Sequence, residues 1–98
     1  EVTARQLREQ LQSTNPPVVI DIRQPEELQD VPAIPTAVNI PMSQLMARLN
    51  EVPKDRPVIL VCASGSRTAF AQKFLAAKSY DCKGLAGGMM AWSQAQTI

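Results

Sequence analysis

The residues with the clearest chemical potential form one short segment, Cys62-Ala63-Ser64-Gly65-Ser66-Arg67. An apolar run precedes it and a helical pattern follows it, so Cys62 is expected to leave a strand just before a helix begins. The small residues after Cys62 allow backbone N–H groups to curl around a point above its sulfur, and the helix start adds unpaired N–H groups and a positive dipole end. A thiol placed in this way is predicted to be ionised at neutral pH. Arg67 adds a forked donor for an oxyanion.

The composition limits which chemistry this segment can perform. Histidine is absent from the 98 residues, which excludes Cys–His and Ser–His nucleophile pairs and most zinc sites. Two cysteines cannot build a disulfide framework, so they indicate one structural thiol and one chemical thiol. A cysteine at a strand end is often only a small buried apolar residue. Strand, glycine, arginine and helix in this order nevertheless favour a nucleophile that needs no histidine.

Two elements are expected to position Cys62. Residues 58–62 are apolar at every position, which is typical of a strand buried on both faces of a parallel sheet. A helix is predicted from about residue 67 to 78, because apolar residues recur there at helical spacing: Phe70, Phe74 and Ala77, with Ala71 and Leu75 beside them.

The other elements alternate between helix and strand. Before the central strand, we predict a helix over residues 4–12 with a Thr3–Gln6 capping box, a strand over 18–21, a short helix from Pro25 and a minimal strand over 37–39. A helix capped by Ser43 follows, with Leu45, Met46 and Leu49 facing inward. Near the end of the chain we predict a strand over 81–83 and a helix over 89–94. This order predicts an α/β sandwich with a mainly parallel five-stranded central sheet and helices on both faces. Ligands bind at the carboxyl ends of such strands, where Cys62 is expected.

Length and charge restrict the partners. A length of 98 residues predicts one domain over residues 1–98, and 45% hydrophobic with 19% charged residues is enough for an ordered core. Residues 1–55 hold eight acidic and five basic residues, and residues 56–98 hold one acidic and five basic residues. A small anionic substrate is one explanation for the basic half, although on charge alone a solvated helix surface is simpler. Aromatic residues make up only 4% and no dense basic run occurs, so nucleic acid is not expected.

Nothing in the chain predicts a membrane partner or a signal segment. No apolar run approaches the roughly 20 residues that a membrane span requires. The chain begins with Glu1 rather than methionine, which is consistent with a piece excised from a longer protein. A cytoplasmic location is therefore a default expectation.

Four segments in order resemble a known family over almost the whole chain. They are an aspartate–arginine motif at Val19-Ile20-Asp21-Ile22-Arg23 with Glu27, a middle loop and strand at residues 34–41, an active loop at residues 58–68, and a closing motif at Leu85-Ala86-Gly87-Gly88-Met89-Met90-Ala91-Trp92. Together they are similar to a single-domain rhodanese, a sulfurtransferase module whose catalytic cysteine carries a persulfide. The chain departs from the family at Pro32-Ala33, where Gly-His is frequent, and at Thr36, where the middle motif has a second glycine.

The resemblance implies a mechanism for the active loop. Cys62 would be the catalytic nucleophile that takes the outer sulfur of an anionic donor such as thiosulfate, and cyanide, a cellular thiol or a thiol protein would then remove that sulfur. The loop residues Ala63, Ser64, Gly65, Ser66, Arg67 and Thr68 would bind the substrate, with backbone N–H groups stabilising the developing charge. No metal and no organic cofactor is implied.

Two other functions compete with sulfur transfer. A cysteine phosphatase of a related fold places one residue more between cysteine and arginine, and four residues, Ala63 to Ser66, give a smaller pocket here. A phosphatase also uses an aspartate general acid, and none lies near this loop in the sequence. The second competitor is a non-catalytic module that binds a partner or holds a persulfide as a signal. The intact Cys62 and Arg67 argue against an inactive module, but they do not separate a sensor from an enzyme.

Asp21 with Arg23, and Cys82, carry weaker predictions. Asp21 and Arg23 are expected to support the loop as a structural ion pair, with framing of the pocket as the alternative. Cys82 is either a buried residue of a short strand or a resolving thiol for Cys62.

The closing motif and the loop serines also have two interpretations each. Trp92 with Met89 and Met90 is either part of the core with one methionine exposed, which we favour, or an acceptor-docking surface. Ser64 and Ser66 are expected to donate to the donor anion, to cap the helix, or both.

Overall fold

The structure of the protein, a computed structural model, describes residues 1–95. Helices and strands follow one another in the predicted order: α1 (Ala4–Leu11), β1 (Val18–Asp21), α2 (Glu27–Asp30), β2 (Val38–Asn39), α3 (Met42–Leu45), a 3₁₀ turn (Leu49–Glu51), β3 (Val58–Val61), α4 (Ser66–Ala77), β4 (Cys82–Gly84) and α5 (Gly88–Ala95). Among these described residues, none of the helices combines the length and the apolar character that crossing a membrane requires.

The sheet has four parallel strands in the order β2-β1-β3-β4. The predicted count of five strands is therefore wrong for the described residues. In the place of a fifth strand, one isolated parallel bridge joins Val2 to Leu85. The capping box at Thr3 starts α1 at Ala4, so the chain turns into a helix before more than one residue can pair with the sheet.

The central strands β1 and β3 bring their carboxyl ends to one edge of the sheet. Their register pairs Val18 with Val58 and Asp21 with Val61, and the N–H of Ile22 donates to the carbonyl of Val61 over 2.8 Å. Because parallel strands end at the same edge, the residues that follow β1 and β3 are neighbours. Cys62 follows β3 directly and lies at this edge.

Helices cover both faces of the sheet, as predicted. Successive residues of a strand point to opposite faces, so each central strand contributes to two apolar cores. Residues from α1 and α5 pack on one face, where the core contains Leu7, Val19, Ile59, Val61 and Trp92. Residues from α3 and α4 pack on the other face, where the core contains Ile20, Leu45, Leu60, Cys62 and Leu75.

The inward face of α3 differs from the prediction. Pro41 precedes α3 and no side chain caps it, so Ser43 lies within the helix instead of capping it. Leu45 is buried, but Met46 is 69% exposed and Leu49 lies in the separate 3₁₀ turn. A four-residue helix turns too little to present three apolar residues on one face.

The buried face of α4 is also rotated from the predicted row. Thr68, Ala71 and Leu75 are buried, whereas Phe70 is 70% exposed. Phe74 of the predicted row is partly buried against the same core, and Ala77 is exposed, so the inward face is centred on Ala71 and Leu75 instead.

The middle loop has a strained residue at the position where the family motif has glycine. Thr36 is exposed and has a φ of 73°, in the left-handed region that a β-branched residue rarely adopts. It lies in the turn that Ala37 closes by donating its N–H to the carbonyl of Ile34. The turn is therefore retained at a cost in stability.

Thr36→Gly is expected to raise the free energy of unfolding by about 1 kcal/mol, because glycine adopts a positive φ without the Cβ clash. Thr36→Ala, which keeps a Cβ, is the matched control and is expected to gain less. Urea denaturation of both variants measures the difference. Equal or lower stability of Thr36→Gly relative to Thr36→Ala would show that the strain is absent.

Candidate active site

Cys62 lies at the base of the loop between β3 and α4. Its side chain has no exposed surface, and its Sγ accepts a hydrogen bond from the backbone N–H of Gly65 over 3.1 Å. Helix α4 begins at Ser66, so the sulfur lies beside the positive end of a helix dipole. This is the position that the order of strand, loop and helix predicts, and it favours a negative charge on sulfur.

The loop turns at Gly65, which has a φ of 103° and precedes α4 without a side-chain cap. Gly65 holds the cap position and no side chain caps α4, so the interpretation that Ser64 or Ser66 caps the helix is wrong, and both serines are exposed. Thr68 is the buried hydroxyl of this region: its Oγ1 donates to the carbonyl of Gly65 over 2.8 Å and lies 4.0 Å from Cys62 Sγ. Thr68 therefore ties the first turn of α4 to the loop directly above the sulfur.

The other loop amides remain available to a ligand. The first N–H groups of α4 have no carbonyl within the helix to bond. Within residues 1–95, the N–H groups of Ala63, Ser64, Ser66 and Arg67 donate to no other backbone carbonyl. Sequence reasoning expected the loop amides to curl around a point above the sulfur, and in this structure the Gly65 amide donates to the sulfur itself.

Two backbone N–H groups of helix α5 form hydrogen bonds with the carbonyls of Cys62 and Ala63. The N–H of Met89 donates to the carbonyl of Cys62 over 2.8 Å, and the N–H of Met90 donates to the carbonyl of Ala63 over 3.0 Å. Gly88 has a φ of 58°, and a Cβ at this position would overlap the carbonyl of Cys62 and come within 2.7 Å of the carbonyl of Ala63. Sequence reasoning missed this contact, and the glycine pair of the closing motif is the signal that marked it.

Arg67 does not extend freely over the loop, because it is paired with Glu27 of α2. Its Nη1 and Nη2 donate to the two carboxylate oxygens of Glu27 over 2.9 and 2.7 Å. The hydrogen bonds from Arg67 are the main cause that lowers the pKa of Glu27 to about 2. The pKa of Arg67 is raised, first by Glu27 and to a lesser extent by Cys62. Arg67 is the second residue of α4, so its backbone lies at the end of the loop that holds the sulfur.

The free energy of unfolding is expected to fall as the pH drops from 4.5 towards 2. The Glu27 carboxyl has a pKa of about 2 when folded and 4.5 in the unfolded chain, so its contribution is complete above pH 4.5 and is lost as the carboxyl becomes protonated. The loss is expected to be about 1 kcal/mol or less because both side chains are about one-third exposed. Urea titrations of wild type and Glu27→Gln across this range measure it. An identical pH dependence in the two proteins would contradict the assignment.

Asp21 and Arg23 form a second ion pair, which is buried. Each residue is 1% exposed, and Nη2 of Arg23 donates to the Asp21 carboxylate over 2.8 Å. Nη1 of Arg23 donates to the carbonyl of Val31 over 2.8 Å, and the Asn39 amide donates to the carbonyls of Asp21 and Arg23. The pair thus crosslinks the end of β1, α2 and β2 beside the active loop, which is the geometry of structural support.

Cys82 lies at the opposite edge of the sheet from Cys62. The register pairs Cys82 with Val58, four residues before Cys62, which corresponds to about 13 Å along a strand. A disulfide needs Cα atoms within about 7 Å, so Cys82 does not resolve a persulfide on Cys62 in this fold. Its Sγ lies 3.7 Å from the carbonyl of Gln72, and burial raises the pKa of its thiol.

The closing helix contributes both core and surface. Trp92 and Met89 are buried and Met90 is 62% exposed, which confirms the core interpretation of Trp92 with one methionine at the rim. Met90 lines a cavity together with Ala63 of the active loop and Ser93. No group of three or more cysteine or carboxylate side chains within residues 1–95 is arranged to hold a metal ion.

Comparisons with known proteins identify the family of the chain. The family model of the rhodanese-like domain matches residues 3–95. The chain is 35% identical to a sulfurtransferase of Allochromatium vinosum, over 96% of this chain and 88% of the relative. It superposes on the crystal structure of a rhodanese-like domain protein from Staphylococcus aureus with a TM-score of 0.87 and 34% identity, covering 93% of this chain and 88% of that one.

A third comparison places the same unit within a larger protein. An NAD-dependent persulfide reductase from A. fulgidus contains a matching region with 31% identity and a TM-score of 0.74, which covers 93% of this chain and 15% of the reductase. The strand–loop–helix around Cys62, the four sequence motifs and these matches agree over nearly the whole chain. This protein belongs to the rhodanese family, as a rhodanese-like domain related to sulfurtransferases.

Proposed function

We propose that this domain transfers a sulfane sulfur from a small anionic donor such as thiosulfate, through a persulfide on Cys62, to cyanide or a thiol. The observation that carries the proposal is the position of Cys62 Sγ at the start of α4, 3.1 Å from the Gly65 amide. A sulfur in that environment is stabilised as an anion without a general base. The absence of histidine from the sequence is then no obstacle.

In the first step, the Cys62 thiolate attacks the outer sulfur of thiosulfate. A bond forms between Sγ and that sulfur, the bond to the sulfonate sulfur breaks, and sulfite leaves with the electron pair. The product is a Cys62 persulfide that keeps the single negative charge of the thiolate. The loop N–H groups that have no backbone partner are the donors we assign to this charge, as in an oxyanion hole.

In the second step, a nucleophile attacks the outer sulfur of the persulfide. Cyanide takes the sulfur as thiocyanate, and the Cys62 thiolate returns with the electron pair of the broken S–S bond. A cellular thiol, including one on a protein, would instead leave as a new persulfide. The reductase region that matches this chain belongs to a protein named for persulfide chemistry, which supports the intermediate.

The burial of Cys62 also supports one alternative function. Its side chain has no exposed surface, so a donor reaches the sulfur only when the loop around it moves. A persulfide formed there would be shielded from other thiols, as expected of a module that holds the persulfide as a signal. Formation of a persulfide is common to both functions, and multiple turnover separates them.

Steady-state assays with thiosulfate and cyanide test the proposal. We expect thiocyanate and sulfite in equal amounts over many turnovers, with the double-displacement kinetics of a covalent intermediate. A single equivalent of sulfite without thiocyanate would assign the persulfide-holding function instead. Phosphate release from aryl phosphates without sulfur transfer would identify a phosphatase and overturn the proposal.

A further inference from the structure

Arg67, in the first turn of the helix that follows the Cys62 loop, is neutralised by a residue from another part of the chain. Glu27 lies 40 positions before Arg67 and occupies both of its terminal nitrogens through a two-bond contact. The Glu27 carboxylate also accepts the N–H of Gln24 over 2.8 Å, which fixes its position on α2. A guanidinium held in this way has less capacity to bind a second anion.

We propose that Glu27 determines donor specificity: by neutralising Arg67 beside the Cys62 loop, it selects donors with one negative charge, such as persulfides, over dianionic donors. This inference rests on the proposed sulfur transfer and defines its substrate class. Thiosulfate remains a donor, but a weak one.

The charge balance around the loop supports this selection. The Arg67 and Glu27 charges cancel, and the buried Arg23 and Asp21 charges cancel in the same way. The thiolate of Cys62 therefore meets the donor with its own negative charge. Loop amides and the helix dipole provide the remaining attraction. A second negative charge on the donor thus gains no ionic partner from these two arginines.

The size of the effect follows from Coulomb's law. Removing one negative charge several ångströms from the bound donor, in a half-solvated site, strengthens binding about threefold for each negative charge on that donor. Glu27→Gln should therefore raise kcat/KM about threefold for a monoanion and about tenfold for a dianion. The ratio of kcat/KM for the dianion to kcat/KM for the monoanion therefore rises about threefold.

Thiosulfate and methanethiosulfonate are the matched probes. Both present an outer sulfur on a sulfonyl group, but a methyl group replaces one charged oxygen in methanethiosulfonate, which then releases methanesulfinate in place of sulfite. We would measure kcat/KM for both donors with cyanide as the acceptor, in wild type, Glu27→Gln, Glu27→Asp and Glu26→Gln. Glu26→Gln removes the same charge from an exposed neighbour that caps α2 without a side-chain bond. Glu27→Asp keeps the charge while changing the contact.

The expected result is a shift in the donor ratio for Glu27→Gln only. An unchanged ratio in Glu27→Gln, or an equal fall with both donors, would overturn the inference and leave sulfur transfer intact. No turnover and no persulfide with either donor in wild type would refute the proposed function itself. If Glu27→Gln does not fold, the salt dependence of the wild-type protein is the second test of the inference. Added salt should raise kcat/KM for thiosulfate relative to methanethiosulfonate. The opposite trend would overturn the inference.

Discussion

Cys62→Ser is expected to abolish persulfide formation and to lower kcat/KM for sulfur transfer by at least about a thousandfold. A serine hydroxyl is not ionised near neutral pH and does not form the S–S bond that the first step requires. The fold is expected to persist, because the smaller Oγ still accepts the Gly65 amide and lies near Thr68. Thiocyanate production and thermal unfolding of the same sample measure activity and stability separately.

Cys82→Ser is the matched control for this prediction. Cys82 is the other free cysteine of the described chain, and it lies opposite Val58 at the far edge of the sheet. We expect it to keep the wild-type rate and to lose only a small part of the stability. Residual sulfur transfer by Cys62→Ser that disappears in the double variant would assign the reaction to Cys82 and contradict the mechanism.

Gly88→Ala is expected to lower the free energy of unfolding by about 3 kcal/mol or more, because two separate costs combine. The φ of 58° strains any residue with a Cβ. The added Cβ also overlaps backbone atoms of Cys62 and Ala63, which cannot move aside as a flexible side chain can. The part of the protein that remains folded should also lose activity, since relief of the clash displaces the loop that holds the sulfur.

Gly65→Ala separates these two costs. Gly65 also has a positive φ, but an added Cβ would meet its nearest atom, the backbone nitrogen of Gly87, at an ordinary 3.5 Å. It should therefore lose only the strain energy, about 1–2 kcal/mol. Urea denaturation of both variants makes the comparison. If Gly88→Ala were no less stable than Gly65→Ala, the close contact between α5 and the active loop would be refuted.

The central site was predictable from the sequence because it is local. The apolar run of β3, the small residues after Cys62 and the helix that follows are contiguous, so strand, loop and helix propensities alone place the sulfur. Asp21 and Arg23, two positions apart, were expected to support the loop as an ion pair, because ion-pair networks are often structural. In these cases neighbouring residues in the sequence determine the geometry.

The contacts that complete the site join distant segments, and no local pattern specifies them. The Glu27–Arg67 pair and the Gly88–Cys62 contact arise only when α2 and α5 pack beside the loop. The inward face of α4 is likewise set by packing, since Phe70 and Ala71 each belong to a row with helical spacing and only Ala71 is buried. The described residues lack a fifth strand because α1 begins at Ala4, directly after its capping residue Thr3.

The central claim is that Cys62 carries the transferred sulfur as a persulfide. The most direct measurement is the intact mass of the domain after brief treatment with thiosulfate and removal of excess donor, followed by peptide mapping. The account predicts one added sulfur atom on Cys62, its loss as thiocyanate when cyanide is added, and no addition in Cys62→Ser. An unchanged mass, or a sulfur atom found on Cys82, would contradict it.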